Sequence, residues 1–323
     1  MSKEHGTPVD RVSLVEVGPR DGLQNEPRLL SLAQRLLLIN RLAESGLQRI
    51  EVGAFVSPKR VPQMADSAEL FKALPRKGPT RYGALVPNLQ GLQAAIQARV
   101  DEIGLFTACS DGFTRANIGI GVEESLIRFT PLVAEARRLG IKVRGYLSTV
   151  IACPYDGPTR PKRVAALAER LLDLGCHEIS LGDTIGIGTP GTVAPMLDAV
   201  LHEVPAGRLA VHFHDTYGQG LANLLPALER GIRTIDCSVA GLGGCPYAPG
   251  ASGNVASEEV VYLLHGLGMS TGVNLDKLAA TGQWVSELLG RPNGSRVGQA
   301  LHARARELQP GLDEIAQGEC HDP

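Results

Sequence analysis

Two histidines separated by a single residue are the most specific chemical feature of the sequence. His212 and His214 close a short apolar run that has the composition of a β-strand. Because side chains at positions i and i+2 of a strand point to the same face, both imidazoles project together from the end of that strand. Such a pair can hold one edge of a metal ion, although it does not select the metal. The alternative is that both rings partly fill the interior of the fold.

An arginine followed by an aspartate ends the first predicted strand. Arg20 and Asp21 lie in the segment VGPRDGLQNE, directly before a glycine turn. Such a neighbouring pair is often only a surface ion pair. If the strand ends meet in the fold, Asp21 can share one cation with His212 and His214, supplying an oxygen beside two neutral nitrogens. Arg20 then points toward the same end of the fold as the two histidines.

A glycine-rich segment, GLGGCPYAPGASGN, follows the last predicted strand and spans residues 241–254. Its glycines permit close backbone approach and movement that bulkier residues block. We expect Cys245 to be a solvent-reachable thiol on a loop that closes over a site, the alternative being a flexible linker. Asn254 can offer its side-chain carbonyl as a metal ligand or cap the next helix, and the sequence favours neither.

Three charged residues lie inside otherwise apolar predicted strands. Glu51 belongs to IEVGAF, Arg144 to VRGYLST and Asp183 to LGDTIG. A charge in such a position is costly unless it is paired or hydrated. These residues either contribute to the site, with Arg144 binding substrate, or form a polar layer inside the fold, and both interpretations stay open.

The elements that must position these residues alternate along the chain. Runs rich in valine and isoleucine predict eight strands, at 12–18, 49–55, 81–86, 102–108, 142–149, 178–184, 208–215 and 234–240. Amphipathic stretches predict helices near 31–46, 66–74, 88–98, 123–139, 161–175, 190–202, 220–230 and 255–266. Eight strand–helix units indicate an α/β fold, either a closed TIM (β/α)8 barrel or an open doubly wound sheet. Because polar residues gather at the carboxyl ends of at least five strands, we favour the barrel.

Further along the chain, two more helical patterns follow the eight units, near 274–290 and 296–306. No stretch has the composition of a linker between domains. We therefore expect one catalytic domain over residues 1–323, with the barrel at about 12–270 and a helical extension at about 271–310.

The composition and motifs of the sequence argue against several classes of function. The 323 residues carry a formal net charge of −2, and aromatic residues amount to 4%. Neither a basic face nor an aromatic stacking surface for nucleic acid is indicated. No apolar run approaches the ~20 residues of a membrane span and no signal-peptide core opens the sequence, so we expect a cytoplasmic protein without a membrane partner. ATP and NAD chemistry lack support, because there is no Walker loop and no GxGxxG after a strand.

Five blocks of the sequence together resemble the hydroxymethylglutaryl-CoA lyase family. They are VEVGPRDGLQNE (15–26), FVSPKRVPQM (55–64), GCHEISLGDTIGIGTPG (175–191), VHFHDTYGQGLAN (211–223) and VAGLGGCPYAPGASGN (239–254). The resemblance runs with even spacing from about residue 12 to about residue 300. It implies a divalent-metal-dependent carbon–carbon lyase that splits 3-hydroxy-3-methylglutaryl-CoA into acetyl-CoA and acetoacetate, a reaction of leucine degradation.

The resemblance also implies roles for individual residues. The metal ligands of the family correspond to Asp21, His212, His214 and Asn254. Arg20 corresponds to the substrate-contacting arginine of the family. Glu51 and Asp183 correspond to two acidic residues of the site, and Cys245 corresponds to the loop cysteine. Hard oxygen ligands with imidazoles suit Mg²⁺ or Mn²⁺, with zinc and cobalt as alternatives. The family further implies a homodimer that takes a CoA thioester as its small-molecule substrate.

Two segments depart from the family pattern. Pro27 stands where members commonly carry a lysine, so we expect one contact to the CoA portion to be absent or moved. The segment 107–121 keeps Ser110 and Asn117 but otherwise diverges, which bears on selection of the acyl chain.

The residue types agree with the implied chemistry. Cleavage of the C2–C3 bond requires deprotonation of the C3 hydroxyl, and a divalent cation bound to that oxygen lowers its pKa. Arg20 can stabilise the negative charge that then develops on the thioester oxygen of the enolate. His212 and Cys245 are the candidates for returning a proton to the enolate carbon.

Three alternatives stay open. A related barrel enzyme could run the condensation direction, as isopropylmalate- and homocitrate-type synthases do, although those enzymes usually carry a regulatory region that we do not expect here. A lyase for a longer-chain 3-hydroxy-3-alkylglutaryl-CoA would use the same site. A silent barrel that binds CoA thioesters is the non-enzyme alternative, and the intact set of site residues disfavours it.

Overall fold

Eight parallel strands close into a barrel in the computed structural model, which describes residues 10–76, 78–244 and 253–308. In chain order they are β1 (Ser13–Glu16), β2 (Arg49–Ala54), β3 (Arg81–Leu85), β4 (Glu102–Ala108), β5 (Lys142–Ser148), β6 (Glu178–Asp183), β7 (Leu209–Phe213) and β8 (Thr234–Cys237). Neighbours around the ring follow chain order, and β1 closes it by pairing with both β8 and β2. The ends of β1 and β7 are therefore separated by one strand only.

Helices surround the barrel and continue beyond it. They are α1 (Leu32–Glu44), α2 (Ser67–Ala73), α3 (Leu89–Gln97), α4 (Asp111–Ile118), α5 (Val122–Arg138), α6 (Pro161–Leu174), α7 (Pro190–Glu203), α8 (Gly220–Glu229), α9 (Ser257–Gly266), α10 (Leu275–Leu289) and α11 (Arg296–Glu307). The predicted TIM barrel with additional C-terminal helices is confirmed. No helix in the described residues is long and apolar enough to cross a membrane.

Local signals account for several element boundaries. Glycines in the left-handed conformation follow four of the helices, at Gly46, Gly140, Gly175 and Gly231. Gly46 has a second constraint, because a Cβ there would lie 2.3 Å from the carbonyl oxygen of Gly272. Helix α7 begins with Thr189 at the N-cap and proline in the first turn.

Two elements differ from the expected pattern. Helix α4 fills the segment between β4 and α5, where the sequence predicts only one helix. Its N-cap Ser110 accepts a hydrogen bond from the backbone N–H of Phe113, and Gly119 ends it with φ +78°. A short antiparallel hairpin, Ala152–Cys153 with Gly157–Pro158, follows β5. Both elements are too short for a hydrophobic period to reveal them.

The barrel separates an apolar layer from a polar interior. Alternate residues of β5 point to opposite faces. A Cβ on Gly145 would meet the side chain of Leu171 in α6, so this position faces the helices. Its neighbours Arg144 and Tyr146 therefore face inward, and together with Glu51 they line the interior. Each apolar side chain fully buried in the outer layer stabilises the fold by about 1.5–3 kcal/mol.

Candidate metal centre and active site

Three potential metal ligands meet at the carboxyl ends of β1 and β7. Asp21, His212 and His214 each present one ligand atom, and these atoms lie within 4.8 Å of one another. The two histidine Nε2 atoms are 3.3 Å apart, and Nε2 of His212 is 4.0 Å from Oδ2 of Asp21. Asp21 reaches this point from a π-helical turn, Gly18–Gly22, that follows β1. Barrel closure thus brings the predicted trio together.

The lowered pKa values of Asp21 and His214 suit a cation. Burial raises the pKa of Asp21, but Arg20, His212 and His214 outweigh it and lower that pKa to about 2. Burial and the nearby charge of His212 lower the pKa of His214 to about 4. Nδ1 of His214 is buried and has no hydrogen-bond partner among the described residues. A carboxylate and two imidazoles form a donor set that fits a divalent metal ion.

His212 behaves differently from His214. Burial lowers the pKa of His212, but the hydrogen bond to Asp236 and the carboxylate charge outweigh burial, so that its pKa is raised. Its Nδ1 lies 3.3 Å from Oδ2 of Asp236. The contact therefore favours the protonated ring, and protons compete with a cation for His212.

Asn254 lies beside the trio and does not cap a helix. The N-cap of α9 is Ala256, so the interpretation of Asn254 as a cap is wrong. Asn254 is 3% exposed, and its Nδ2 donates to Oδ2 of Asp21 at 2.9 Å and to the carbonyl oxygen of Leu242 at 3.1 Å. A backbone bridge to His214 holds it there. Its role as a metal ligand stays a prediction.

Arg20 is held next to Asp21 by two carboxylates. Its Nη1 donates to Oδ1 of Asp21 at 2.8 Å, and its Nε donates to Oε2 of Glu51 at 2.6 Å. Burial opposes the charge of Arg20, but Glu51 and Asp21 outweigh burial and raise the pKa of the guanidinium. Within the three described ranges Nη2 makes no hydrogen bond.

Glu51 connects Arg20 to the barrel interior. Its Oε1 accepts a hydrogen bond from the hydroxyl of Tyr146 at 3.0 Å, while Oε2 accepts from Arg20. Burial raises the pKa of Glu51, and the arginine opposes that effect. These contacts place Glu51 between Arg20 and Tyr146, and its role in the site stays a prediction.

Asp183 ends β6 and braces the turn that follows. Its Oδ2 accepts from the backbone N–H of Gly188 at 2.7 Å, and its buried Oδ1 has no partner in the part of the chain that the structure describes. Burial raises its pKa to about 6, although backbone N–H groups of the turn oppose the shift. The backbone carbonyl of Asp183 accepts from the N–H of His214 at 3.4 Å, but among the described residues its carboxylate makes no hydrogen bond to the three clustered ligands.

Arg144 lies deeper in the barrel than the predicted ligands. It is 1% exposed, and its Nη1 and Nη2 donate to the two carboxylate oxygens of Asp236 at 2.8 and 2.6 Å. Its Nε donates to Glu178 at 2.6 Å. These ion pairs favour the interpretation of Arg144 as part of a polar layer, because they enclose its guanidinium inside the barrel. Substrate contact by Arg144 stays a prediction that no contact supports.

The sequence reasoning missed Asp236, which bonds to both His212 and Arg144. It lies in TIDCSVA, an otherwise apolar strand, so the criterion that selected Glu51 would also have selected Asp236. Cys245 lies outside the described residues, and its predicted role is not tested. The cysteines that the structure describes, at positions 109, 153, 176 and 237, are buried and free.

A family model described as HMGL-like matches residues 11–285. The chain belongs to the HMGL-like family. Among curated relatives of this HMGL-like chain, the 3-hydroxy-3-isohexenylglutaryl-CoA/hydroxymethylglutaryl-CoA lyase of Pseudomonas aeruginosa is 52% identical over 91% of the chain and 98% of the relative. The hydroxymethylglutaryl-CoA lyase of Pseudomonas mevalonii is 54% identical over 92% of the chain and 99% of its own length. The mitochondrial hydroxymethylglutaryl-CoA lyase of Arabidopsis thaliana is 53% identical over 91% of the chain, which spans 63% of that relative.

Solved structures agree with this HMGL-like assignment. The hydroxymethylglutaryl-CoA lyase from Pseudomonas aeruginosa superposes with a TM-score of 0.89 at 52% identity, covering 92% of this chain and 99% of the other. An HMG-CoA lyase from Acinetobacter baumannii, in complex with coenzyme A and 3-methylmalate, has a TM-score of 0.85 at 35% identity, covering 97% and 98%. The HMGL-like chain therefore shares both fold and sequence with lyases of known structure.

Proposed function

We propose that this HMGL-like enzyme is a divalent-metal-dependent carbon–carbon lyase that cleaves 3-hydroxy-3-methylglutaryl-CoA to acetyl-CoA and acetoacetate. The observation that carries the proposal is the convergence of Asp21, His212 and His214 beside Arg20. Relatives more than half identical, named for this activity, support the substrate, and a related lyase in complex with coenzyme A supports the thioester class.

Mg²⁺ or Mn²⁺ is the proposed ion, held by Asp21, His212, His214 and Asn254. Carboxylate and carboxamide oxygens suit these hard cations, and imidazoles are compatible with them. A bound cation supplies Lewis acidity that lowers the pKa of the substrate C3 hydroxyl.

Arg20 is proposed to face the charge that develops during cleavage. Glu51 and Asp21 occupy its Nε and Nη1, so the guanidinium is oriented before substrate arrives. Negative charge then grows on the thioester oxygen, and a preorganised donor beside that oxygen stabilises the transition state more than the ground state.

The last step returns a proton to the enolate carbon. His212 cannot deliver that proton from Nε2 while the same nitrogen ligates a cation. Cys245, on the glycine-rich segment, is therefore our proposed proton donor. Oxidation or alkylation of this thiol is expected to stop turnover.

Cleavage of a longer-chain homologue is the second candidate function. The Pseudomonas aeruginosa relative is named for both an isohexenyl and a methyl substrate. The condensing synthase and the silent barrel receive no such support from the named relatives.

Acetyl-CoA release tests the activity. We expect release from 3-hydroxy-3-methylglutaryl-CoA, its loss in EDTA and its recovery with added Mg²⁺ or Mn²⁺. The isohexenyl homologue, assayed alongside, decides between the two acyl chains by kcat/KM. No release from either substrate with metal present would overturn the proposal.

Replacing His214 by Ala tests the metal centre directly. We expect a 10- to 100-fold or larger loss of Mn²⁺ affinity, measured by titration calorimetry, with partial return of activity at high Mn²⁺. His202→Ala is the matched control, since that side chain is 85% exposed and, among the described residues, pairs only with Glu203. Unchanged Mn²⁺ binding in the His214 variant would remove this residue from the ligand set.

We also propose that the enzyme is a cytoplasmic homodimer. Sedimentation equilibrium should then give twice the chain mass of 34.2 kDa. A single-chain mass at micromolar concentration would contradict the dimer.

A further inference from the structure

Asp236 is a fully buried carboxylate with four hydrogen-bond donors around it. Its Oδ1 accepts from Nη2 of Arg144 at 2.6 Å. Its Oδ2 accepts from Nη1 of Arg144 and from the hydroxyl of Ser180, both at 2.8 Å, and lies 3.3 Å from Nδ1 of His212. This carboxylate is therefore rigidly held, and one of its partners is a proposed metal ligand.

The contact with Asp236 determines which nitrogen of His212 carries hydrogen. An ionised carboxylate only accepts hydrogen bonds, so Nδ1 of the imidazole must be the donor. In the neutral ring the lone pair then lies on Nε2. This nitrogen faces Nε2 of His214, 3.3 Å away, and Oδ2 of Asp21, 4.0 Å away.

We propose that Asp236 is a positioning residue that fixes the Nδ1–H tautomer and the ring orientation of His212, so that Nε2 faces Asp21 and His214. Arg144 and Ser180 act one step further away, because they hold the carboxylate in place. The inference rests on the proposed metal centre. It also gives Arg144 a function that its buried ion pairs permit.

A purely structural role for Asp236 is the competing explanation. The carboxylate neutralises a buried guanidinium, and any variant that removes it leaves charge uncompensated. Glu178 provides the matched control, because it pairs with the same Arg144 at 2.6 Å but has no hydrogen bond to His212. Asp236→Asn and Glu178→Gln each remove one buried negative charge from the same arginine.

Mn²⁺ affinity of the purified variants separates the two explanations. An Asn at 236 can turn its amide N–H toward Nδ1 and stabilise the Nε2–H tautomer, which has no lone pair for a cation. We expect Mn²⁺ affinity to fall about 10- to 100-fold in Asp236→Asn and by less than about threefold in Glu178→Gln. Equal affinity in Asp236→Asn and wild type, or equal losses in both variants, would overturn the inference.

Wild-type protein provides a measurement that does not depend on folding of a variant. Nitrogen-15 NMR of metal-free, histidine-labelled protein at about pH 9 reports the tautomer of each neutral ring, with His212 assigned by its loss in His212→Gln. We expect hydrogen on Nδ1 of His212, and hydrogen on Nε2 would overturn the inference. If the wild-type protein bound no Mn²⁺ while His212 held the expected tautomer, the proposed metal centre would fail instead.

Discussion

Arg20 is only 7% exposed yet remains charged, because Glu51 and Asp21 lie within hydrogen-bond distance of it. The planar guanidinium bonds to both carboxylates through different nitrogens and, in the described residues, leaves Nη2 without a hydrogen bond. A lysine ammonium is a point charge on a flexible stem and cannot reproduce this geometry. The orientation of the Arg20 guanidinium therefore matters in addition to its charge.

Replacing Arg20 by Lys should therefore lower turnover more than binding. We expect kcat to fall roughly 100-fold or more, as for loss of another oxyanion donor, with a much smaller change in KM. Steady-state kinetics of acetyl-CoA release measure both constants. Arg128→Lys, on the exposed surface of α5, is the control and should retain wild-type kinetics. A variant with normal kcat and a raised KM would make Arg20 a binding residue only.

Several elements meet at one buried carboxylate, that of Glu258. Ala240, in the turn Val239–Gly241 after β8, has φ +54°, and its N–H donates to both oxygens of Glu258 in α9. Gly282 of α10 leaves room for that carboxylate, since a Cβ there would lie 2.1 Å from Oε1 of Glu258. The C-terminal extension thus supports this turn after β8.

Gly282→Ala tests this packing of elements. Alanine improves helix propensity by about 1 kcal/mol, but overpacking of a buried contact costs about 1–3 kcal/mol. Because the contact is far below van der Waals distance, we expect a net loss of unfolding free energy, about 1 kcal/mol or more, by urea denaturation. Gly191→Ala, in the first turn of α7 with only an ordinary contact to Thr189, should be neutral or stabilising. Equal stability of both variants would contradict the packing argument.

The stability of the whole molecule is coupled to two buried carboxyl groups. Burial raises the pKa of Glu16 from 4.5 to about 7 and that of Glu258 from 4.5 to about 8, against the opposing effect of their hydrogen bonds. Between the unfolded and folded pKa values the folded state binds more protons than the unfolded chain. These groups therefore stabilise the fold fully below about pH 4.5, and this contribution is lost as the pH rises through 7 to 8.

Glu258→Gln should flatten that pH dependence. The amide keeps an oxygen for the N–H of Ala240 but cannot ionise, so the variant should lose less stability than wild type between pH 6 and pH 9. One pKa unit corresponds to about 1.4 kcal/mol, and we expect a difference on the order of 1–3 kcal/mol at pH 9. Urea denaturation across this range measures it, with exposed Glu169→Gln as the control. Parallel stability curves for wild type and Glu258→Gln would show that the pKa of Glu258 is not raised in the folded state.

Local chemistry made much of the molecule predictable. The periods of strands and helices depend on residues within a few positions of one another. The same-face projection of His212 and His214 follows from the period of two along a strand. Counting eight such units and locating polar residues at strand ends was enough to predict the barrel and the meeting of Asp21 with the histidine pair.

Only the tertiary structure decided which distant side chains pair inside the barrel. Sequence patterns report whether a strand position is inward or outward, but not which inward residues of other strands reach it. The contact of Asp236 with His212 and the contact of Arg144 with Glu178 both depend on strand register and barrel closure. Asn254 likewise reaches Asp21 because the chain returns to the mouth before α9 begins at Ser257. Pairing between strands is a long-range property, so no local pattern in the sequence could have determined it.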